Sequence, residues 1–268
     1  MNPESAKAFF ESFGYIFLKN VFPSSEIKEI STAADEIWEK ERNGVQSKKD
    51  GQHIVPFVEQ SPLLTKLIDD DRIYNYATTI LGEDMVWGGS EGNITTRGEH
   101  LWHPDRPGDH QEINYDRLKV NIYLDPVTAD RGCLRVIPAS HREPLHGSIE
   151  PENRHQNSTT VNPFNIAGEN MPSIPVESNP GDVIFFHQSL WHAVFNGWPN
   201  RRFISLKYAA KPINDRQIAS LVYYSADKLL NTPESLLESN RPRIKNLVSN
   251  LHDYAIKDVP DFIPFRQN

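Results

Sequence analysis

The 268 residues carry a formal charge of −8, with 38% hydrophobic and 24% charged residues. That balance predicts a folded globular chain and argues against a nucleic-acid partner, which needs a basic footprint. No apolar run is long enough to span a bilayer, and Met1 to Lys7 lacks a secretory pattern, so a cytoplasmic protein with no membrane partner is expected. Cys133 is the single cysteine, which excludes an intramolecular disulfide and a thiolate zinc cluster and leaves His, Asp and Glu for any metal site.

Apolar residues at helical spacing predict a helix from Ser5 to Phe13, stopped by Gly14 and followed by a strand from Tyr15 to Leu18. Pro23-Ser24-Ser25 then opens a helix with Ile27, Ile30, Ala33 and Ile37 on one side. Asn43 to Gln52 reads as a loop and Leu63 to Leu81 as another helix. Beyond Gly82 the text changes to short β-prone runs: Met85 to Trp87, Asn93 to Thr96, Leu118 to Leu124, Cys133 to Ile137, Val183 to His187 and Phe203 to Tyr208. Glu143 to Pro180 reads as a long loop, suited to a lid, and helices return from Ile218 to Leu230 and Leu236 to Ile256. The expected architecture is one domain over residues 1–268, mainly β with flanking helices. Residues 1–82 form mostly helical support, 83–210 a jelly-roll core and 211–268 the C-terminal helices.

His103-Pro104-Asp105 places an imidazole and a carboxylate two residues apart, and Pro104 biases His103 toward extended backbone, in which positions i and i+2 share a face. Two histidines and one carboxylate on one face of an ion are the iron(II) oxygenase arrangement. The pattern alone is weak, because His110-Gln111-Glu112 and His141-Arg142-Glu143 repeat it and ordinary loop polarity is the plainer alternative for all three. A second informative stretch runs from Pro180-Gly181-Asp182 through His187 to His192, with one of the two histidines expected at a metal. Asn196-Gly197 then gives a hairpin-type turn signal before Arg201-Arg202-Phe203. A guanidinium beside a metal suits the far carboxylate of a dicarboxylate ligand, whereas a surface arginine pair is the plainer alternative.

Taken together, Trp102-His103-Pro104-Asp105, Leu124-Asp125 through Gly132-Cys133-Leu134 to Pro138-Ala139-Ser140-His141, and Pro180-Gly181-Asp182 through His187 and His192 resemble the phytanoyl-CoA dioxygenase family of 2-oxoglutarate oxygenases. The resemblance runs over most of the chain and implies a double-stranded β-helix, cupin-like core. It implies that His103, Asp105 and His192 hold iron(II), that Arg201 anchors 2-oxoglutarate with Arg202 as its rival, and that Asn121 lines the co-substrate pocket. His141 and His187 become structural. The chain departs from the family pattern at Pro104, at Ala139 where the family has glycine, and at Ala193-Val194-Phe195.

The implied activity uses iron(II), 2-oxoglutarate and O2 to hydroxylate a C–H bond of a small-molecule substrate, releasing succinate and CO2. Asp105 favours hydroxylation over halogenation, since related halogenases lack this carboxylate. Arg97, Arg106 and Trp102 are candidate substrate contacts. Trp87, Trp102, Trp191 and Trp198 are read either as a wall for a ligand or as packing. Two alternatives stand beside this reading: a cupin-type metalloenzyme that ignores 2-oxoglutarate, and a non-catalytic jelly-roll binding protein.

Overall fold

The computed structural model describes residues 1–42, 51–95, 98–105, 112–152, 164–229 and 232–254. Helix α1 (Pro3–Phe13) is capped by the Asn2 side chain, which accepts from Ser5 N at 2.8 Å, and ends at Gly14 with φ +80°. Strand β1 (Tyr15–Leu18) follows, then α2 (Ser24–Glu41), which buries the expected Ile27, Ile30, Ala33 and Ile37 together with Trp38. The helix expected from Leu63 to Leu81 is divided into a 3-10 turn (Leu64–Ile68) and α3 (Asp71–Leu81). The break comes at Asp70, whose carboxylate accepts from Arg72 N at 2.9 Å and so starts a new helix there.

Strand β2 (Gln52–Ile54) was not expected, and the two short runs beyond Gly82 are one strand, β3 (Val86–Ile94). Glycines at 88, 89 and 92 hid its continuity, because they supply no β-prone side chain. Gly92 leaves room for Phe57, whose ring lies 4.8 Å from that of Trp38; a Cβ there would come within 2.1 Å of the Phe57 ring. The remaining strands are β4 (Gly98–His103), β5 (Arg117–Tyr123), β6 (Leu134–Val136), β7 (Ile174–Val176), β8 (Val183–His187), β9 (His192–Gly197) and β10 (Arg202–Ala209). Helix α4 (Leu145–Ile149) and β7 lie within the stretch expected to be a loop. After α5 (Asp215–Leu229), the second C-terminal helix is replaced by α6 (Glu234–Leu237), α7 (Pro242–Val248) and a 3-10 turn (Leu251–Asp253), with Pro242 forcing a fresh helix start.

The strands form two antiparallel sheets, ordered β1-β8-β5-β10-β3-β2 and β4-β9-β6-β7, the face-to-face arrangement expected of a jelly roll. Asn196-Gly197 does not make a hairpin, since β9 and β10 lie in different sheets and the chain crosses between them. Alternation divides the larger sheet cleanly. Val120, Ile122, Ile204, Leu206 and Tyr208 join the helices in the main core, while Lys119, Asn121, Phe203 and other residues of opposite phase line a cavity between the sheets. The outer face of the smaller sheet packs Trp102, Trp191, Ala193 and Phe195 against Ile137, Ile149 and Met171. The described part of the 143–180 stretch therefore supplies cover to that face.

The turn after β6 pins the start of the chain. Ala139 N donates to Phe13 O at 3.0 Å, with Ala139 held at φ +66°, a left-handed conformation that a Cβ disfavours. His141 and His187 are buried there with ring centroids 5.3 Å apart, and Arg142 pairs with Asp116 at 2.6 Å. Ala139→Gly is expected to raise the unfolding free energy by about 1 kcal/mol, and Gly92→Val to lower it by roughly 1–3 kcal/mol through overpacking. Urea unfolding of the metal-free protein measures both.

Candidate metal centre

His103 ends β4 and His192 begins β9, and the two are direct partners in the antiparallel ladder. Their ring centroids lie 4.4 Å apart. The ladder is irregular between His100 and His103, where β4 carries an extra residue. This bulge puts His100 and His103 on the cavity side, with ring centroids 4.2 Å apart, and turns Trp102 to the opposite face. Trp102 is fully buried there and donates from Nε1 to Gly168 O at 2.7 Å. The structure thus separates Trp102 from the cavity, against the expectation of a substrate contact.

Each imidazole is oriented by its own backbone. Nδ1 of His103 lies 2.5 Å from Leu101 O and Nδ1 of His192 lies 2.8 Å from Leu190 O, so Nδ1 carries the proton and Nε2 offers its lone pair. Burial, with His192 and His100 nearby, holds the His103 imidazole well below its ordinary pKa, in the neutral form that a metal requires. Asp105 Oδ1 lies 3.9 Å from His103 Nε2 and 3.6 Å from His192 Nε2. Burial alone would raise the Asp105 carboxyl, but neighbouring positive charge, that of Lys119 foremost, keeps the group well below the usual carboxylate range. One ligand atom from each of His103, Asp105 and His192 lies within 4.8 Å of the others, the one such group of His, Cys, Asp or Glu among the described residues. Two imidazole nitrogens and one carboxylate oxygen fit a divalent transition ion and leave its other positions open.

The cavity beside this group measures about 250 Å³ and extends to Arg201. Arg201 is 4% exposed, donates from Nη1 to Gly132 O and lies between the rings of Tyr123 and Phe203, at 5.7 and 5.6 Å. Its Nε has no hydrogen-bond partner, and no carboxylate among the described residues pairs with it. A buried guanidinium without a counter-ion is costly, and an anion in the cavity would offset that cost. Arg202 is engaged elsewhere, with Asp35 at 2.7 Å and Asp125 at 2.8 Å. Asn121 lines the cavity and accepts from Ser205 Oγ at 2.8 Å.

Arg97 and Arg106 lie outside the described residues, as does His110. His141 and His187 lie in the separate cluster near α1, where His187 Nε2 is 3.3 Å from Asp116. Trp87 donates to Glu59 at 3.0 Å, Trp191 is fully buried, and Trp198 stacks under Arg131 at 4.2 Å, so these three pack within the protein. Unanticipated lining residues are His53, Glu91, Asn93, His100 and Lys119. Lys119 was legible in principle: it shares the phase of Asn121 in a strand otherwise apolar on its other face.

A family model for phytanoyl-CoA dioxygenase matches residues 10–196. The chain belongs to the phytanoyl-CoA dioxygenase family of iron- and 2-oxoglutarate-dependent oxygenases. It is 26% identical over 220 residues to an ectoine dioxygenase of Sphingopyxis alaskensis, covering 71% of this chain and 70% of that one. Among solved structures, it resembles HygX from Streptomyces hygroscopicus with nickel and 2-oxoglutarate bound, at TM-score 0.60 and 14% identity over 77% of this chain and 86% of that one. It also resembles the epimerase SnoN in complex with Fe3+, alpha-ketoglutarate and nogalamycin RO, at TM-score 0.59 and 20% identity over 78% and 83%. These likenesses agree with the cupin-like fold expected for the family.

Equilibrium dialysis of metal-free protein against Co(II) is expected to give one tightly held ion per chain, and Asp105→Ala to abolish it. Retention of the ion by the Ala variant would place the metal elsewhere.

Proposed function

We propose that this protein is an iron(II)- and 2-oxoglutarate-dependent dioxygenase that hydroxylates a C–H bond of a small polar molecule in the cytoplasm. His103, Asp105 and His192 hold the iron, Arg201 takes the far carboxylate of 2-oxoglutarate, and Asn121 forms part of the co-substrate wall. The observation that carries this reading is a buried arginine with no carboxylate partner lining the same cavity as Asp105 and His192, the two residues that cluster with His103. An ion alone would not need the guanidinium, and an organic anion alone would not need the triad. A dicarboxylate that also chelates metal needs both.

When bound, iron(II) with 2-oxoglutarate supplies oxidation by dioxygen: substrate C–H, 2-oxoglutarate and O2 become substrate C–OH, succinate and CO2. The chain's own residues orient and enclose. The backbone carbonyls of Leu101 and Leu190 fix both imidazoles, and Tyr123, Leu134, Phe186, Val194 and Phe203 give the cavity apolar walls that exclude water from the co-substrate. The remaining lining is polar, with His53, Glu91, Asn93 and His100, which suits a small polar substrate better than a long acyl chain. Related folds include an epimerase and a carbocyclase, so the placement of the substrate hydrogen selects the outcome.

Anaerobic titration with iron(II) and 2-oxoglutarate is expected to develop the visible charge-transfer band of the chelate. Arg201→Gln should raise the 2-oxoglutarate concentration at half-formation by about tenfold or more, as expected for losing a charge-assisted bond, and Arg202→Gln should leave it unchanged. Metal uptake without a band would favour a cupin-type enzyme, and no stoichiometric metal a binding protein.

A further inference from the structure

Two of the three ligand residues are aimed by backbone carbonyls, but Asp105 has no such anchor. It follows β4 across Pro104, outside any strand, and no backbone N–H among the described residues donates to its carboxylate. What faces its outer oxygen is a lysine: Lys119 Nζ stands 3.0 Å from Asp105 Oδ2 as an ion pair, Oδ2 accepting no hydrogen bond, while Oδ1 is the atom turned toward both imidazoles. Lys119 is itself fixed on β5. Its ammonium lies 3.7 Å from Glu91 Oε2 and 5.9 Å from the Phe186 ring, and Glu91 is gripped in turn by Lys207.

Asp105, Lys119, Glu91 and Lys207 thus form a row of alternating charge, with side chains only 10, 12, 10 and 2% exposed. It crosses three adjacent strands of the larger sheet, β5, β10 and β3. Burying four charges is tolerable only because each meets an opposite one. Neither iron nor 2-oxoglutarate, as placed above, accounts for the two lysines and the glutamate.

We propose that Lys119 is a positioning residue that makes Asp105 a one-oxygen ligand. With its charge set beside Oδ2, it would leave Oδ1 alone for the metal, so the protein would occupy three positions of a six-coordinate ion. Two then remain for the keto acid and one for dioxygen. Without Lys119, Asp105 is free to bind through both oxygens, which removes one of the three vacant positions. Glu91 and Lys207 keep the Lys119 ammonium in place from the sheet side. The inference rests on the function proposed above.

The test counts vacant positions with nitric oxide, an uncharged stand-in for dioxygen whose affinity for the ion does not depend on the charge of residue 119 to first order. Lys119→Met keeps side-chain length, and Lys119→Arg keeps the cation. Iron(II)-loaded native protein, with and without 2-oxoglutarate, is titrated anaerobically with nitric oxide and followed by electron paramagnetic resonance. Thermal unfolding and circular dichroism of the metal-free variants verify the fold.

The expected result is that Lys119→Met takes up nitric oxide like the native protein when iron is bound alone, but about tenfold or more weakly once 2-oxoglutarate is present. Lys119→Arg should stay within about threefold of native. Its Co(II) affinity separates positioning from general damage: Lys119→Met should bind Co(II) as well as or better than native, since a cation beside the carboxylate opposes a second one. Equal nitric oxide uptake by native and Met proteins in the presence of 2-oxoglutarate overturns the proposal, as does parallel loss of metal and nitric oxide. Failure of the native protein itself to take up nitric oxide beside 2-oxoglutarate also overturns it. Absence of the charge-transfer band in native protein would instead remove the underlying function.

Discussion

His103 and His192 stand opposite each other on neighbouring antiparallel strands, and every other group at the site is placed relative to that pair. Opposed side chains on one face of such a pair lie about 4.5–5.5 Å apart at Cβ. A backbone ladder therefore sets the imidazole separation, and flexible side chains do not. A slip of one residue would turn an imidazole outward and an outer aromatic inward. Trp102, Trp191 and Phe195, packed together on the outer face, oppose that slip because each would have to leave an apolar cluster for a polar cavity. The large apolar residues beside the two histidines thus act on the site by holding its register.

The larger sheet answers with the same period-two logic. One phase of β5 and β10 gives the apolar residues that bury the helices, and the other gives Lys119, Asn121, Tyr123, Phe203, Ser205 and Lys207. Four of these six side chains are polar or charged, an unusual interior for a β-sandwich. Pairing explains most of it: Asn121 with Ser205, Lys119 with Asp105 and Glu91, and Lys207 with Glu91. Arg201, just before β10, lacks such a partner and is anchored by one backbone carbonyl and flanked by rings. It is on this unbalanced cation that the proposed co-substrate role of Arg201 rests.

The parts of the site carried by short contiguous motifs were legible in the sequence. His103-Pro104-Asp105 announced its extended geometry through proline, and the Gly181-Asp182 to His192 stretch announced a turn, a buried strand and a histidine beyond it. The choice among competing His-x-acid triplets came from family resemblance, and the ladder places the pair that resemblance favours. Long-range geometry was less legible. Strand β4 was hidden because its bulge breaks alternation, and β3 because glycines at 88, 89 and 92 dilute β-propensity. Asn196-Gly197 imitated a hairpin because local turn chemistry does not say which sheet the next strand joins. Lys119, Glu91 and Lys207 lie on three strands far apart in sequence, so their row of charge exists only after the sheet is assembled.

The central claim is that two imidazoles, brought together by the β4–β9 ladder, bind the same ion. X-ray absorption at the iron edge of the anaerobic iron(II) and 2-oxoglutarate complex tests this most directly, because outer-shell scattering counts imidazoles. The account predicts two per iron in the native protein and one in His192→Ala loaded at high iron concentration. A native spectrum fitted by oxygen ligands with no imidazole, or one unchanged by that substitution, would contradict it.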